Sequence, residues 1–263
     1  MQCGRDVLLR SHFTRLLRQT PTFYLKAARK LQRAKVTVES TSGVVEQFDG
    51  KLQEQAFERV DEKLRTFVAD VQATTSLRLG CIPGCGKCCL STTVESTPWE
   101  CIPMAKELIR RGTAEQVLEQ LDVASAARQG EPTRCIFYEP NGRLEDGKGR
   151  CSMYETRPLI CRLFGFAAFR AKDATLDVTT CKVMRSEIPE TVAATHAVVK
   201  SGRVDVPVYV DEWSELHGPV LGSRMAKIMP INEAFAEALK DQLWRHYLKS
   251  LDTDGVEDPV SEV

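Results

Sequence analysis

The chain has 263 residues, 43% of them hydrophobic, with 36 Lys/Arg balanced by 36 Asp/Glu. That is enough apolar material for one or two ordinary domains. The zero net charge argues against a protein built mainly to grip nucleic acid, and no apolar run reaches the roughly 18 residues of a membrane-spanning helix.

The charge is unevenly placed. Residues 1–35 carry nine Lys/Arg and one acid, Asp6. Leu8, Leu9, Phe13, Leu16, Leu17, Leu25, Ala28 and Leu31 recur there at helical spacing, broken at Pro21. Residues 1–38 therefore read as a basic amphipathic arm that packs on the domain, with contact to an anionic surface as the alternative. The polar, glycine-containing stretch 39–50 reads as a linker. A single domain is expected over 51–250, followed by an acidic, disordered tail at 251–263.

Leu52, Ala56, Val60, Leu64, Phe67, Val68 and Val71 share one face of a helix expected over 51–73. A cysteine-rich knuckle follows. Thr97-Pro98 signals a helix start, giving a helix over about 99–111 that stops at Gly112. Thr113-Ala-Glu-Gln has the form of a capping box and opens a helix over 113–128. Two β-prone runs, Cys135-Ile-Phe-Tyr-Glu and Arg150-Cys-Ser-Met-Tyr, flank glycine-rich turn sequence and predict a hairpin that brings Cys135 beside Cys151. Leu163–Arg170 suggests a third strand. Helical patterns return over Pro189–Val199, briefly at Leu221–Met229, and over 231–249. The fold class is α+β: a mainly helical domain with a small β element around a cysteine-rich core.

The knuckle is C-I-P-G-C-G-K-C-C, placing Cys81, Cys85, Cys88 and Cys89 within nine residues. Pro83, Gly84 and Gly86 supply the tight turns that a short ligand-bearing loop needs. Four more thiols follow at Cys135, Cys151, Cys161 and Cys181. Eight thiols complete two tetrathiolate sites or one polynuclear cluster. The first residues lack the apolar core of a signal peptide, so a reducing, cytoplasmic setting is expected, where free thiols favour metal over disulfides. A base adjoins every downstream member: Lys87 precedes Cys88, Arg134 precedes Cys135, Arg150 precedes Cys151, Arg162 follows Cys161 and Lys182 follows Cys181. Such charge would offset a thiolate-rich site; the competing reading is solvent-facing charge at loop ends. Cys3 and Cys101 read as bystanders, and His12, His196, His217 and His246 lack ligand spacing with the cysteines. No dinucleotide, phosphate-loop or nucleophile-elbow motif is present.

The series C-x3-C-x2-C-C, Cys135, Cys151-x2-Tyr154-x2-Arg157-Pro158-x2-Cys161-Arg162, Phe164-Gly165 and Cys181 resembles the YkgJ family of cysteine-cluster proteins, also called the zinc- or iron-chelating CxxCxxCC family. The resemblance covers 81–181. It implies a cysteine-rich zinc or iron site, with an iron–sulfur cluster as one form, in a mostly bacterial, cytoplasmic protein, and it implies no particular reaction. Within the motif, Pro158 would open a turn presenting Cys161. Arg157 and Arg162 would neutralise thiolates or bind a carboxylate, and Tyr154 would shield the site or simply pack in the hairpin. Lys87 joins these three as a supporting residue.

Two other classes stay open at this point. Cys81-x3-Cys85-x2-Cys88 has the spacing of radical S-adenosylmethionine enzymes, although Lys87 stands where they carry an aromatic and the βαβ alternation of a barrel is missing. Flagellin lysine methylases carry a comparable cluster. Alternatively, the metal is only a staple in a protein-interaction module. Substrate, partner and the identity of the metal are not readable from the residues.

Overall fold

In a computed structural model of the chain, residues 51–127 and 133–253 are described. The expected arm, the linker and most of the acidic tail lie outside them. The elements are α1 (Lys51–Thr75), α2 (Lys87–Leu90), β1 (Glu95–Ser96), α3 (Ile102–Arg110), α4 (Ala114–Ala127), β2 (Tyr138–Pro140), β3 (Gly149–Cys151), α5 (Leu159–Leu163), β4 (Ala168–Arg170), β5 (Leu176–Val178), α6 (Lys182–Glu187), α7 (Pro189–Lys200), α8 (Tyr209–His217), β6 (Met229–Pro230) and α9 (Ile231–Thr253). The fold is mainly helical α+β. Its strands form three antiparallel pairs, β1–β6, β2–β3 and β4–β5. This is not the parallel sheet that a barrel enzyme would require.

Two apolar cores position the site. The first joins α3, α4 and α9 to the hairpin, through Met104, Leu108, Leu121, Phe137, Phe235 and Leu239. Phe137 and Phe235 meet edge to face at 4.9 Å. The second joins α1, the β4–β5 pair, α6 and α7, through Phe67, Val71, Ala168, Val178, Met184 and Val198. Each such side chain stabilises by roughly 1.5–3 kcal/mol when fully buried.

Several details differ from expectation. Helix α3 begins at Ile102 rather than near 99, because residues 98–101 form tighter turns, with Cys101 N–H on Pro98 O and Ile102 N–H on Trp99 O. The N-cap is therefore Cys101 and not Thr97, whose hydroxyl instead accepts from Glu100 N–H at 3.2 Å in the preceding turn. The stop at Gly112 holds: φ is +69°, and Gly112 and Thr113 donate back to Ile109 and Leu108. The third strand begins at Ala168, five residues later than expected, and pairs with β5. Residues 159–163 are helical, since Pro158 caps α5 and Cys161 N–H closes on its carbonyl. The short helix expected near 221–229 is a 3-10 turn at Arg224–Ala226.

Candidate metal centre

The knuckle is a turn followed by one turn of helix. Gly84 takes φ +71°, which a Cβ would strain, so that Cys85 N–H closes on Ile82 O. Helix α2 then carries Cys88 and Cys89, with Cys89 N–H on Gly86 O. The knuckle is stitched along the hairpin. Gly86 N–H donates to Gly147 O at 3.1 Å and Gly149 N–H to Gly84 O at 2.9 Å, and Cys85 bridges Lys148. Cys135 N–H donates to Cys89 O at 3.0 Å. This approach needs glycine: a Cβ on Gly86 would stand 2.2 Å from the Tyr138 ring, and one on Gly149 only 2.4 Å from Glu139 O. Tyr138 is fixed in turn by its hydroxyl, which donates to Lys148 O.

The remaining thiols arrive on separate elements. Cys135 leads into β2, and Cys151 ends β3, where it pairs with Tyr138. Cys161 sits on α5. Cys181 caps α6, its sulfur accepting from Met184 N–H at 3.3 Å. Five stretches of chain thus deliver the eight candidate ligands. All nine cysteines of the described residues are free; Cys3 lies outside them. Cys101 is buried in the first core, with its sulfur 3.8 Å from Ser96 Oγ.

The four supporting residues divide. Arg157 faces the thiols: its charge favours the thiolates of Cys88, Cys151 and Cys161. Its guanidinium stacks 3.4 Å from the centroid of the exposed Tyr154 ring, and Nε donates to Tyr154 O. Arg162 turns inward instead. It pairs with Asp61, donates to Arg157 O and Glu155 O, and lies over the Phe57 ring. It fixes the turn that aims α5. Lys87 lies over Gly147 of the hairpin loop. Arg150 pairs with Glu139 across the hairpin.

The electrostatics are those of crowded sulfurs. Cys88 and Cys89 Sγ are 4.0 Å apart. Sharing that contact lowers Cys88 to about 6 and raises Cys89. Burial pushes Cys135 up to about 12 and Cys161 up as well. Burial raises Cys151 and Cys81 too, and Cys81 is raised further by Cys85, Cys88 and Cys181. Against this, backbone N–H groups face several sulfurs: Phe137 faces Cys135, Met153 faces Cys151 and Ile82 faces Cys81. Donors aimed at sulfur stabilise thiolates and tune metal–thiolate centres. Among the described residues, no three Cys, His, Asp or Glu side chains are placed so that together they could hold a metal ion. The donor set itself is all sulfur, which by softness fits zinc or iron.

Sequence reasoning did not single out Glu100, whose carboxylate is 1% exposed. Its Oε2 accepts from Leu159 N–H at 2.9 Å, the first residue of the helix bearing Cys161. The signal was faint, an acid three residues after the Thr expected to cap. No curated protein and no solved structure matches the chain. A family model, CxxCxxCC, described as "Putative zinc- or iron-chelating domain", matches residues 80–187, less than half of the chain. That interval contains all eight candidate ligands together with Tyr154, Arg157 and Arg162, and over it the chain is similar to the CxxCxxCC family.

Proposed function

We propose that this protein holds zinc or iron through the thiolates of Cys81, Cys85, Cys88, Cys89, Cys135, Cys151, Cys161 and Cys181, in a reducing, cytoplasmic setting. The observation that supports the reading is the stitching of the knuckle to the hairpin, which ties Cys85 to Lys148 and Cys89 to Cys135, with every cysteine of the described residues free. A structural cysteine core would be spared the mutual repulsion that these thiols exert on one another.

When bound, a thiophilic cation supplies the positive charge that several adjacent thiolates require. The chain's own groups do the rest. Backbone N–H groups orient the sulfurs, Arg157 offsets residual negative charge, and Tyr154 covers the arginine's outer face. Arg162 and Glu100 fix the two ends of the segment that aims Cys161. Iron–sulfur ligation would use the same thiolates. The antiparallel strand pairs favour chelation over the barrel-enzyme alternative.

Elemental analysis with acid-labile sulfide determination on anaerobically purified protein tests this. Zinc without sulfide identifies closed thiolate sites, and iron with sulfide a cluster. Protein that purifies folded with neither metal, and takes up neither, refutes the proposal.

A further inference from the structure

Tyr138 stands where the thiol-bearing stretches meet. It opens β2 three residues after Cys135, and its N–H closes on Cys135 O at 3.2 Å. Across the hairpin it pairs directly with Cys151, and residues opposite one another in an antiparallel pair share a face. The residue is 6% exposed. Its ring lies against two glycine backbones: a Cβ would stand 2.2 Å from Cε2 at Gly86 and 2.5 Å from Cε2 at Gly149. Neither glycine is there for its backbone freedom, since Gly86 has φ −108° and Gly149 is not among the described glycines with positive φ. Both make room for one ring.

The hydroxyl adds a second tie. It donates to Lys148 O at 2.8 Å, a carbonyl that also accepts from Asn141 N–H at 2.8 Å. Lys148 is the residue bridged to Cys85, and it lies between the Gly86–Gly147 and Gly149–Gly84 hydrogen bonds. One side chain therefore meets the backbone on both sides of the contact between knuckle and hairpin.

We propose that Tyr138 is a positioning residue for the cysteine centre: its ring is the spacer that sets how closely the knuckle approaches the hairpin, and its hydroxyl holds the hairpin end of that contact. This rests on the metal reading above and extends it to a residue that carries no sulfur. The spacer acts through the backbone. Gly86 lies directly after Cys85 and two residues before Cys88, and Gly149 lies two residues before Cys151. A change in the ring therefore moves the knuckle thiols relative to Cys135 and Cys151. Ring volume matters more than the hydroxyl. Phenylalanine keeps the spacer and loses one hydrogen bond, whereas leucine leaves both glycines facing a gap.

The test uses the full reduced chain, zinc as the probe metal and competition with a chromophoric chelator, with the denaturant midpoint measured for each variant. Tyr138→Leu and Gly86→Ala should each lower zinc affinity about 10–100-fold, the usual effect of disturbing groups that orient ligands. Tyr138→Phe should bind within about fivefold of the unmutated chain, the effect of one neutral hydrogen bond. Tyr138→Leu combined with Gly86→Ala should bind more tightly than Gly86→Ala alone, because the new methyl enters the room the ring has left. Lost stability by itself would not give that rescue. In the metal-free chain, Gly86 and Gly149 N–H should exchange faster in Tyr138→Leu than in Tyr138→Phe. If Tyr138→Leu binds zinc like the unmutated chain, if the double variant shows no rescue, or if the two variants exchange alike, the positioning role is overturned while chelation stands. If the unmutated chain takes up neither zinc nor iron, the metal reading falls and the positioning role with it. Gly86→Ala reads the same contact with the tyrosine intact, so a Tyr138→Leu that fails to fold does not remove the test; unchanged zinc affinity in Gly86→Ala also overturns the role.

Discussion

Two polar clusters, one fully buried around Glu100 and one partly exposed among the cysteines, differ in how their atoms are satisfied. On one side, Glu100, His217 and Thr97 are at most 1% exposed. Every polar atom there has a partner from the chain. Glu100 accepts from Leu159 N–H and from the Ser96 and Thr97 hydroxyls. His217 Nε2 lies 2.9 Å from Thr97 Oγ1 and 3.3 Å from Glu100 Oε1. Its Nδ1 donates to Trp213 O at 2.9 Å, and the Trp213 ring stacks on the imidazole. On the other side, burial and neighbouring thiols raise Cys89, Cys135 and Cys161, while Cys88 is lowered by its contact with Cys89. A polar cluster that satisfies itself is structural. One whose members disfavour one another's charged form would be relieved by a bound cation, as the proposed metal reading requires.

Removing the metal gives the largest expected difference between the two. Thiolate-held structural zinc contributes about 10–16 kcal/mol of apparent binding free energy at neutral pH, which is coupled to folding. Stripping the protein with a strong chelator should therefore loosen the knuckle and hairpin, seen as lost hydrogen-exchange protection at residues 81–89 and 135–151. Protection around Glu100 and His217 should fall less. Equal loss at both places would show that the two clusters form one cooperative unit.

Next is Glu100→Ala. It leaves the Leu159 N–H and two hydroxyls without their acceptor in a buried site, and an unsatisfied buried donor costs about 1–3 kcal/mol. The denaturant midpoint should drop with the slope unchanged. Metal content per folded chain should hold, because α5 retains Arg162 at its other end. Arg162→Ala should follow at about 2–3 kcal/mol, since it removes a charged group bonded to two carbonyls and paired with Asp61. Arg157→Ala should change the midpoint by less than about 1 kcal/mol, in keeping with a half-buried arginine stacked on an exposed ring. It should instead weaken metal retention in competition with a chelator. If Arg162→Ala weakened retention more than Arg157→Ala, the division of labour between the two would be wrong.

What the sequence made legible follows from how local each signal is. The long helices announce themselves by periodicity, and α1 and α9 fall within a few residues of expectation. The Gly112 stop and the pairing of Tyr138 with Cys151 are local turn chemistry. The candidate ligands were also local, since spacing alone picked them out. What stayed hidden was long-range. Nothing within a short window says that Arg162 reaches Asp61, 101 residues away, or that Glu100 caps a segment 59 residues on. Helix α8 was missed because its buried face comprises Glu212, Leu216 and His217, two of which look polar in sequence. Their burial depends on Lys63 and Glu100, supplied from elsewhere. The two-residue pairing of β1 with β6 is too short to leave a pattern.

The smallest effect bears on the boundary between the clusters, at Cys101. It follows Glu100 directly and is 1% exposed. Burial and the Glu100 charge push its thiol well up, and Cys161 and Cys135 add to this. By proximity it could be counted a ninth ligand. By packing it belongs to the first core beside Met104 and Ala105, with a single sulfur contact to Ser96. The packing reading predicts that Cys101→Ala removes one small buried group and costs about 1 kcal/mol. Zinc stoichiometry and the chelator release profile should match the unmutated chain. Loss of a bound ion in this variant would make Cys101 a ninth ligand and shift the line between the self-satisfied cluster and the proposed metal-dependent one by a single residue.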